Sequence, residues 1–466
     1  MNKPNIIFIL TDDLGWRDLG CYGSDFYETP NLDRLAADGL TFTDAYASCP
    51  VCSPTRASIL TGKYPATLGV TDWIDSEKWV HPARGKLIDA PYIDHLPLAE
   101  TSLAEALKEG GYHTWHVGKW HLGQAEYYPQ YQGFDINKGG CQWGAPIHGY
   151  FSPYNIPNFE NGPEGEYLTD RLTDEAIQLI ENNDDQPFFL NLWYYTVHTP
   201  IQAKVEHIQK FKAKAQEMGI DQIDPFEIGE NFPTEHKQHL RVTRRTLQSD
   251  PVYAAMIYAL DENLGRLLAT LERTGQADNT VFIFTSDNGG LATAEGSPTS
   301  NAPLSEGKGW MYEGGTREPL IIRWPGVVAP GTTCQVPITS PDFYPTLLEM
   351  AGLEPIPEQH VDGVSQMPLL TGEDDVDREA IFWHYPHYGK QGGTPGSSIR
   401  AGDYKLIHFF EDDRLELYNL QEDISEEHNL ADEQPELTAK LSAQLTEWRE
   451  VVTAQIPKPN LNPRKT

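Results

Sequence analysis

A cysteine, a proline and an arginine stand at fixed offsets between Cys52 and Arg56, which read Cys-Ser-Pro-Thr-Arg. Proline cannot continue a helix from upstream but suits the first turn of one, so we predict a short helix that ends at Gly62. Cys52 would lie at or just before the helix N-terminus, where free N–H groups and the helix dipole favour negative charge. Arg56 adds a cation with a planar fork of donors. This spacing predicts a nucleophile or an anion site.

Two other interpretations of Cys52 remain open. A single cysteine is more often a small buried hydrophobic residue than a catalyst. With Cys49 it also forms a Cys-x-x-Cys pair, which can be a redox motif. The proline and arginine at fixed offsets favour the nucleophile over an inert or redox-active thiol.

Two strand-like apolar runs are each followed by oxygen-bearing side chains. One run precedes Asp12 and Asp13, and a second, Thr280–Thr285, precedes Asp287 and Asn288. Open α/β sheets place their sites at the carboxyl ends of such buried strands. Oxygen donors without clustered cysteine or histidine suit Ca²⁺ or Mg²⁺ better than zinc. For Asp12 and Asp13, helix capping or a solvated turn explains the position equally well.

Three basic or titratable side chains also follow strand-like segments. Lys119 and His121 are two residues apart, so in extended backbone they would point the same way and could hold an anion. Surface residues flanking a core tryptophan would show the same pattern. His198 follows the apolar segment Pro187–Tyr195, and Pro200 restricts the loop after it. A lone histidine is usually structural, but this strand-end position favours a function.

Composition limits the partners of the chain. It has 466 residues, 39% of them hydrophobic, with 35 basic and 68 acidic residues and a net charge of −33. Nucleic acids require a basic surface, so we expect no nucleic-acid partner. Exposed charges farther off than about 8–10 Å are screened by salt, so a few buried cations can still hold an anionic substrate.

Neither a membrane span nor an export signal is expected. No apolar run approaches the length of a membrane helix, and Asn5–Leu10 is too short for a signal-peptide core. We therefore expect no membrane partner and a cytoplasmic protein, or a periplasmic or secreted one if a signal has been removed. The cysteines are too few and too scattered for a disulfide framework: Cys21, Cys49, Cys52, Cys141 and Cys334.

The order of the predicted elements indicates an α/β fold in two parts. We predict a catalytic domain over residues 1–375 and, after a charged stretch, a small antiparallel α+β subdomain over residues 376–466. Residues 203–250 are polar and partly helical, as in an insertion. The main predicted segments are the strands Asn5–Leu10, Ser397–Ala401, Tyr404–Phe410 and Arg414–Asn419 and the helices Asn31–Asp38, Leu103–Glu109, Thr173–Asn182, Pro251–Arg273 and Pro435–Ala454.

Five separated motifs resemble, in order, those of the type I, formylglycine-dependent sulfatases. They are Asp12-Asp13, Cys52 to Arg56 with Leu60-Thr61-Gly62-Lys63, Lys119 with His121, His198, and Asp287-Asn288 with Lys308. The resemblance covers nearly the whole chain and is nearest to bacterial arylsulfatases and N-acetylgalactosamine-6-sulfatases. It implies an alkaline-phosphatase-like α/β sandwich, with a large mixed sheet flanked by helices. It also implies a hydrolase that removes sulfate from a sulfated sugar or glycan fragment, with exo action.

The resemblance implies how the nucleophile is formed and which groups bind the metal. A formylglycine-generating maturation enzyme would oxidise Cys52, and the hydrate of the resulting aldehyde would attack sulfur. One hydroxyl of the hydrate would bind Ca²⁺, or Mg²⁺ as a substitute. The other ligands would be Asp12, Asp13, Asp287 and Asn288.

The resemblance also assigns the sulfate-binding and proton-transfer residues. Lys119, His198 and Lys308 would bind the sulfate group, and His198 would protonate the leaving alcohol. Arg56 and His121 would orient the hydrate. Two other functions stay open, because phosphonate and phosphodiester hydrolases share this fold and nucleophile motif, and an inactive relative could bind sulfated glycans.

Substrate specificity is expected in the loop regions 70–98 and 124–168. Within them Trp143 and Tyr150 could stack on a sugar, although packing inside the loop is the better interpretation. Glu313 and Arg317 are expected to brace their loop as an ion pair rather than to touch the substrate.

Overall fold

The computed structural model describes residues 3–75, 83–184 and 186–462. Its strands form one large mixed sheet, a second antiparallel sheet and two short ribbons. In chain order the strands are β1 (Asn5–Thr11), β2 (Leu40–Tyr46), β3 (Leu87–Ile88), β4 (His113–Gly118), β5 (Ile136–Lys138), β6 (Phe188–Trp193), β7 (Phe226–Asn231), β8 (Arg241–Arg245), β9 (Thr280–Ser286), β10 (Arg317–Arg323), β11 (Thr332–Cys334), β12 (Ile338–Thr339), β13 (Ile381–Tyr385), β14 (Gly396–Ala401), β15 (Tyr404–Phe409), β16 (Arg414–Asn419) and β17 (Lys458–Pro459).

Helices cover the large sheet. In chain order they are α1 (Pro30–Ala37), α2 (Cys52–Thr61), α3 (Pro65–Leu68), α4 (Leu103–Glu109), α5 (Leu168–Glu181), α6 (Val205–Met218), α7 (Pro251–Arg273), α8 (Glu313–Thr316), α9 (Phe343–Met350), α10 (Met367–Leu370) and α11 (Pro435–Val451). None of these helices is long and apolar enough to cross a membrane.

The large sheet has the strand order β11-β2-β10-β9-β1-β6-β4-β5, and β12 also pairs with β2. The central strand β1 runs parallel to both β9 and β6, whereas β10 runs antiparallel to β9 and β2. The sheet is therefore mixed, as predicted. The parallel strands β9, β1, β6 and β4 all end at the same edge, and this edge carries the site.

Burial of β1 on both faces explains why its sequence is an unbroken apolar run. Its residues Ile6–Leu10 have no exposed surface on either side of the strand, which is typical of a sheet covered on both faces. Two groups of helices provide the cover, with α7 packed against α1, α5 and α6, and α2 packed against α4 and α9.

The second sheet is a four-stranded antiparallel meander, β13-β14-β15-β16, against which α11 packs. It lies within the predicted C-terminal part, whose boundary at residue 375 stays a prediction. The ribbon of β3 with β17 joins the end of the chain to the segment near residue 87.

Several predicted elements match the structure closely because their local signals are strong. The helix Pro251–Arg273 has the predicted bounds, with Asp250 as its N-cap. Ser102 and Glu105 form the predicted capping box of α4. In the predicted insertion at 203–250, the helix α6 is followed by the hairpin β7–β8, which the polar composition did not indicate.

Candidate active site

The predicted site residues meet at one edge of the large sheet. Since β1 and β9 are parallel, with Thr11 opposite Ser286, the residues that follow them emerge side by side. The site side chains come from strand ends, from the start of α2 and from the loop before α8: Asp12 and Asp13 after β1, Asp287 and Asn288 after β9, Lys119 and His121 after β4, His198 after β6, Cys52 and Arg56 on α2, and Lys308 before α8.

Cys52 is the first residue of α2, a helix whose every residue is buried. The helix ends at Gly62, whose φ of 68° lies in the left-handed region that favours glycine. The Cys52 side chain lines a pocket, and its Sγ lies within 4.8 Å of carboxylate oxygens of Asp12 and Asp13. Burial raises the pKa of the Cys52 thiol to about 11, so the thiolate is disfavoured at neutral pH.

Cys49 lies in a different environment from Cys52. It packs with Trp383 and Tyr385 in an apolar cluster, whereas Cys52 lines the pocket. Both cysteines are free thiols. This arrangement lends no support to a redox pair.

Asp12 and Asp13 are buried carboxylates, each bound to a lysine. Lys119 Nζ lies 2.7 Å from Asp12 Oδ2, and Lys308 Nζ lies 2.8 Å from Asp13 Oδ1. Burial raises the pKa of Asp12 to about 8, although Lys119 acts in the opposite direction. Burial acts on Asp13 too, but there Lys308 and His198 outweigh it and hold the pKa below its ordinary value. A further cation beside Asp12 would favour its ionised form.

Asn288 joins the carboxylates from the β9 side. Its Nδ2 donates a hydrogen bond to Asp13 Oδ1 at 2.9 Å. Asn288 Oδ1 and Asp12 Oδ1 are both buried and lack hydrogen-bond partners among the described residues. Oxygen atoms of carboxylates and amides are the ligands that Ca²⁺ and Mg²⁺ prefer, and these two oxygens are free to bind one. These residues therefore fit the predicted metal.

Asp287 is held by Arg56. Arg56 Nε donates to Asp287 Oδ2 at 2.9 Å, and Nη2 lies 2.8 Å from the same oxygen. Nη1 donates to the backbone carbonyl of Lys119 at 3.3 Å. The fully buried Arg56 thus positions Asp287 and the turn after β4, and its predicted action on the hydrate stays a prediction.

The prediction that Lys119 and His121 project together from extended backbone is wrong. β4 ends at Gly118, and His121 has a left-handed φ of 60°. A Cβ at Gly118 would lie 2.0 Å from the carbonyl oxygen of Trp193, so the chain turns tightly against β6. The two side chains take different positions at the site, with Lys119 buried against Asp12 and His121 lining the pocket.

His121 can accept a hydrogen bond at the pocket but cannot donate one there. Its Nε2 lies 2.6 Å from the backbone oxygen of Ile74, and because that oxygen only accepts, Nε2 carries the proton. Nδ1 is buried and has no partner among the described residues. Burial, reinforced by Lys119, holds the pKa of His121 well below its ordinary value. Gly144 lies against the ring, where a Cβ would meet Cε1 at 2.5 Å.

His198 faces Lys308 across the pocket floor. His198 Nδ1 lies 2.7 Å from the backbone oxygen of Thr199, so Nδ1 donates there. Its Nε2 lies 3.1 Å from Lys308 Nζ and 3.6 Å from Asp13 Oδ2. Burial and the neighbouring Lys308 lower the pKa of His198 to about 3, so the imidazole is neutral in this state.

The pocket above Cys52 has a volume of about 210 Å³. Two of its walls come from the loop regions in which specificity was expected. The third wall, Glu295 with Lys390 and Gln391, was missed, because no local pattern marks these residues and only the fold brings them here. The wall residues are Trp73 and Ile74, then Gly144, Ala145 and Ile147, and finally Glu295, Lys390 and Gln391.

One buried acid next to the site was also missed. Glu318 lies on β10 and is 1% exposed, and burial, with Asp287 nearby, raises its pKa well above the ordinary value. A glutamate inside an apolar strand is the signal that could have identified it.

Two smaller predictions are confirmed. Glu313 and Arg317 form an ion pair at 3.1 Å. Tyr150 is fully buried, and its hydroxyl donates to the backbone oxygens of Tyr195 and His198, so it packs inside the loop and does not face a sugar.

Comparisons with known proteins point to one family. A family model described as Sulfatase matches residues 4–353, and one described as N-sulphoglucosamine sulphohydrolase, C-terminal, matches residues 306–451. A "Sulfatase" of Formosa agariphila is 35% identical, covering 96% of this chain and 88% of that protein. An N-acetylgalactosamine-6-sulfatase of Rattus norvegicus is 31% identical, covering 86% of this chain and 71% of that protein.

Solved structures agree as well. The crystal structure of Ps i-CgsB superposes with a TM-score of 0.75 at 30% identity, covering 96% of this chain and 93% of that one. The fold is thus the predicted alkaline-phosphatase-like α/β sandwich with a small C-terminal antiparallel sheet. The chain belongs to the sulfatase family, and it is a sulfuric ester hydrolase.

Proposed function

We propose that this enzyme removes sulfate from a sulfated sugar at the end of a glycan fragment, with a formylglycine made from Cys52 and a bound Ca²⁺. One observation carries the proposal. Cys52 lines a small pocket, and its Sγ lies within 4.8 Å of Asp12, Asp13 and His198 ligand atoms. A nucleophile, anionic ligands and a titratable group thus meet where a sulfate ester can enter.

The state of Cys52 supports conversion rather than direct attack by the thiol. A cysteine nucleophile acts as thiolate, and burial disfavours the thiolate of Cys52. A hydrated aldehyde at residue 52 would instead present two hydroxyls. One can attack sulfur, and the other can lose its proton so that the aldehyde re-forms and sulfate leaves. The maturation enzyme that makes this aldehyde is the implied protein partner.

The chain's own residues would prepare the sulfate site. When bound, Ca²⁺ would be held by Asp12, Asp13, Asp287 and Asn288, would polarise a sulfate oxygen and would lower the pKa of a hydroxyl on residue 52. Lys119 and Lys308 would stabilise negative charge on the sulfuryl oxygens. Lys308 is 5% exposed, so its charge acts in a site with little water.

His121 and Arg56 would position other groups of the site, namely a hydroxyl on residue 52 and the carboxylate of Asp287. The unpaired Nδ1 of His121 can accept a hydrogen bond from a hydroxyl on residue 52, since both side chains line the pocket. Arg56 would keep Asp287 fixed through its two contacts to Oδ2. Arg56 would thus act through Asp287, whereas the prediction was that both residues orient the hydrate.

His198 would supply the proton for the leaving alcohol. Its Nε2 is unprotonated in the free state, but a sulfate ester between it and Lys308 would bring negative charge. An opposite charge nearby raises the pKa of an imidazole, so binding of substrate would favour the protonated form. Lys308 is the alternative donor, whereas His121 in its neutral form has no proton to give at the pocket, because its Nε2–H points to the backbone oxygen of Ile74.

The proposal of a sugar substrate rests on the pocket walls and on the relatives. Trp73 lines the pocket together with the polar side chains of Glu295, Lys390 and Gln391, a mixed lining that suits a sugar ring. A structure of Ps i-CgsB holds k-i-k-neocarrahexaose, and relatives include N-acetylgalactosamine-6-sulfatases. The pocket of about 210 Å³ is smaller than the roughly 300–1,000 Å³ of larger ligand sites, which favours one terminal residue and exo action.

A panel of sulfated mono- and disaccharides, assayed beside matched phosphate and phosphonate esters, tests this function. We expect release of sulfate from at least one sulfated sugar, with kcat/KM far above that for every phosphorus ester. Preferred turnover of a phosphodiester or phosphonate would instead support that alternative. Binding of sulfated sugars without any turnover by protein with converted Cys52 would support a binding protein.

A further inference from the structure

Behind the Trp73 wall of the pocket lies a second cluster of ionisable side chains. It comprises Asp72, Asp89 and His387, which come from three separate segments of the chain. One ligand atom from each residue lies within 4.8 Å of the other two. None of them belongs to the active site described above.

His387 is directed into this cluster without a hydrogen bond there. The side chain is fully buried, and its Nδ1 has no hydrogen-bond partner among the described residues. Nδ1 lies 3.8 Å from Asp72 Oδ2 and 3.9 Å from Asp89 Oδ2. These separations exceed the roughly 2.7–3.2 Å of an N–H···O hydrogen bond. They do suit two ligands of one ion, which typically lie about 2.0–2.6 Å from it.

The surroundings orient His387 and Asp72 toward a common point. His387 Nε2 lies 2.9 Å from Thr71 Oγ1, so a proton on Nε2 would leave the Nδ1 lone pair facing the carboxylates. The backbone of Trp73 and the hydroxyl of Tyr385 both donate to Asp72 Oδ1, which leaves Oδ2 turned to the cluster. A hydrogen bond to the other ring nitrogen is the usual way in which a metal-ligating histidine is fixed.

Among the described residues, the two carboxylates of the cluster have no lysine or arginine in direct contact. Over residues 3–75, 83–184 and 186–462, neither Asp72 nor Asp89 forms an ion pair with lysine or arginine. The nearby Lys390 instead lies over the Trp73 ring, 3.6 Å from its centroid. Two buried carboxylates that face the lone pair of His387 Nδ1 are unfavourable in water-poor surroundings. They therefore require either bound protons or a cation.

We propose that Asp72, Asp89 and His387 bind a divalent transition-metal ion such as Zn²⁺, at a site separate from the catalytic metal. One imidazole and two carboxylates form a mixed nitrogen and oxygen donor set, which suits zinc better than calcium. The ion ties the segment before Trp73 to the segment that carries Lys390. It thereby fixes two walls of the substrate pocket from behind.

Zinc binding to the whole chain tests the site. Protein freed of metal by chelation is equilibrated with Zn²⁺, and bound zinc is counted by elemental analysis in the wild type, His387→Gln and Asp89→Asn. His236→Gln is the matched control, because His236 lines the cavity beside Asp72 and Asp89 but lies outside the cluster. We expect wild type and control to hold one tightly bound zinc that both cluster variants bind at least about tenfold more weakly.

Crystals of wild-type protein soaked with Zn²⁺ give a readout that needs no variant. Anomalous difference density at the zinc edge, in contact with all three side chains, would support the assignment even if a variant fails to fold. Absence of that density, or occupancy by calcium alone, would overturn it. Undiminished zinc binding by folded His387→Gln would overturn it equally.

Discussion

Lys308 Nζ lies 3.1 Å from His198 Nε2, so an ammonium group donates a hydrogen bond to an unprotonated imidazole nitrogen. The same ammonium binds Asp13, which orders the lysine before any substrate arrives. A sulfate ester that enters the pocket would exchange part of this contact for its own oxygens. In the proposed mechanism the pair would serve as a preformed anion site and as the source of the proton for the leaving group.

The first prediction concerns Cys52. Co-expression with a formylglycine-generating enzyme should replace the thiol of Cys52 by an aldehyde, because the motif from Cys52 to Arg56, which starts a helix, resembles the one converted in formylglycine-dependent sulfatases. Peptide mass spectrometry measures the change. Cys49 is the internal control, since it is packed in an apolar cluster and should keep its thiol. Full activity in protein that carries only a free thiol at Cys52 would contradict the prediction.

The second prediction concerns the catalytic metal. Asn288→Leu removes one neutral oxygen ligand without leaving Arg56 or a lysine unpaired, unlike a change at Asp287. We expect the calcium affinity to fall by about tenfold or more and activity to fall with it. Calcium content after dialysis and activity after chelation are the measurements.

Asn263→Leu is the control for loss of a buried asparagine, because Asn263 is 1% exposed and binds Asp170 on a helix remote in sequence from the site. It should keep the bound calcium. Equal calcium content in folded Asn288→Leu, or full activity after exhaustive chelation, would remove calcium from the proposal.

The third prediction concerns a buried ion cluster between the two sheets. Glu313 Oε1 lies 2.9 Å from Lys405 Nζ on β15, and Oε2 lies 3.1 Å from Arg317 Nη1. Glu313→Gln leaves Arg317 with Asp44 and Lys405 with Glu426 as the remaining carboxylate partners. The loss should therefore be smaller than the about 3–5 kcal/mol that a wholly unpaired buried charge typically costs. Glu272→Gln is the control, because Glu272 meets Arg34 at the surface and such pairs contribute about 0–1 kcal/mol. Urea denaturation at neutral pH compares them.

The loss of stability in Glu313→Gln should also depend on pH. Burial raises the pKa of Glu313, but Lys405 and Arg317 outweigh burial and lower it from 4.5 to about 2. A folded pKa below the unfolded one means that this stabilisation is complete above about pH 4.5 and is lost as pH falls toward 2. The difference in unfolding free energy between wild type and Glu313→Gln should therefore shrink below pH 4.5. A difference that stays constant or widens there would contradict the assignment.

The sequence was sufficient for those parts of the site that follow apolar strands directly. Asp12 and Asp287 could be placed together because parallel strands end at one edge of a sheet, and a buried strand has an obvious pattern. The direction of His121 could not be predicted, because it depends on a turn at Gly118 and on the close approach of Gly144. Lys390 lies in a loop whose place at the pocket depends on how the second sheet packs.

The last prediction separates proton donation from sulfate binding. A sugar alkoxide is a poor leaving group and needs a proton as the S–O bond breaks, whereas a nitrophenolate leaves without much help. Proton donation typically contributes about 10²–10⁴-fold to the rate, so His198→Ala should slow a sulfated sugar far more than an aryl sulfate. Lys308→Ala should slow both substrates by similar factors, because it faces the sulfuryl group that they share. Measurements of kcat/KM for both substrates in both variants decide the matter. If His198→Ala loses the same factor on each substrate, His198 binds sulfate only, and Lys308, its neighbour at 3.1 Å, becomes the acid. In its neutral form His121 could not replace Lys308, since its only proton points to the backbone oxygen of Ile74.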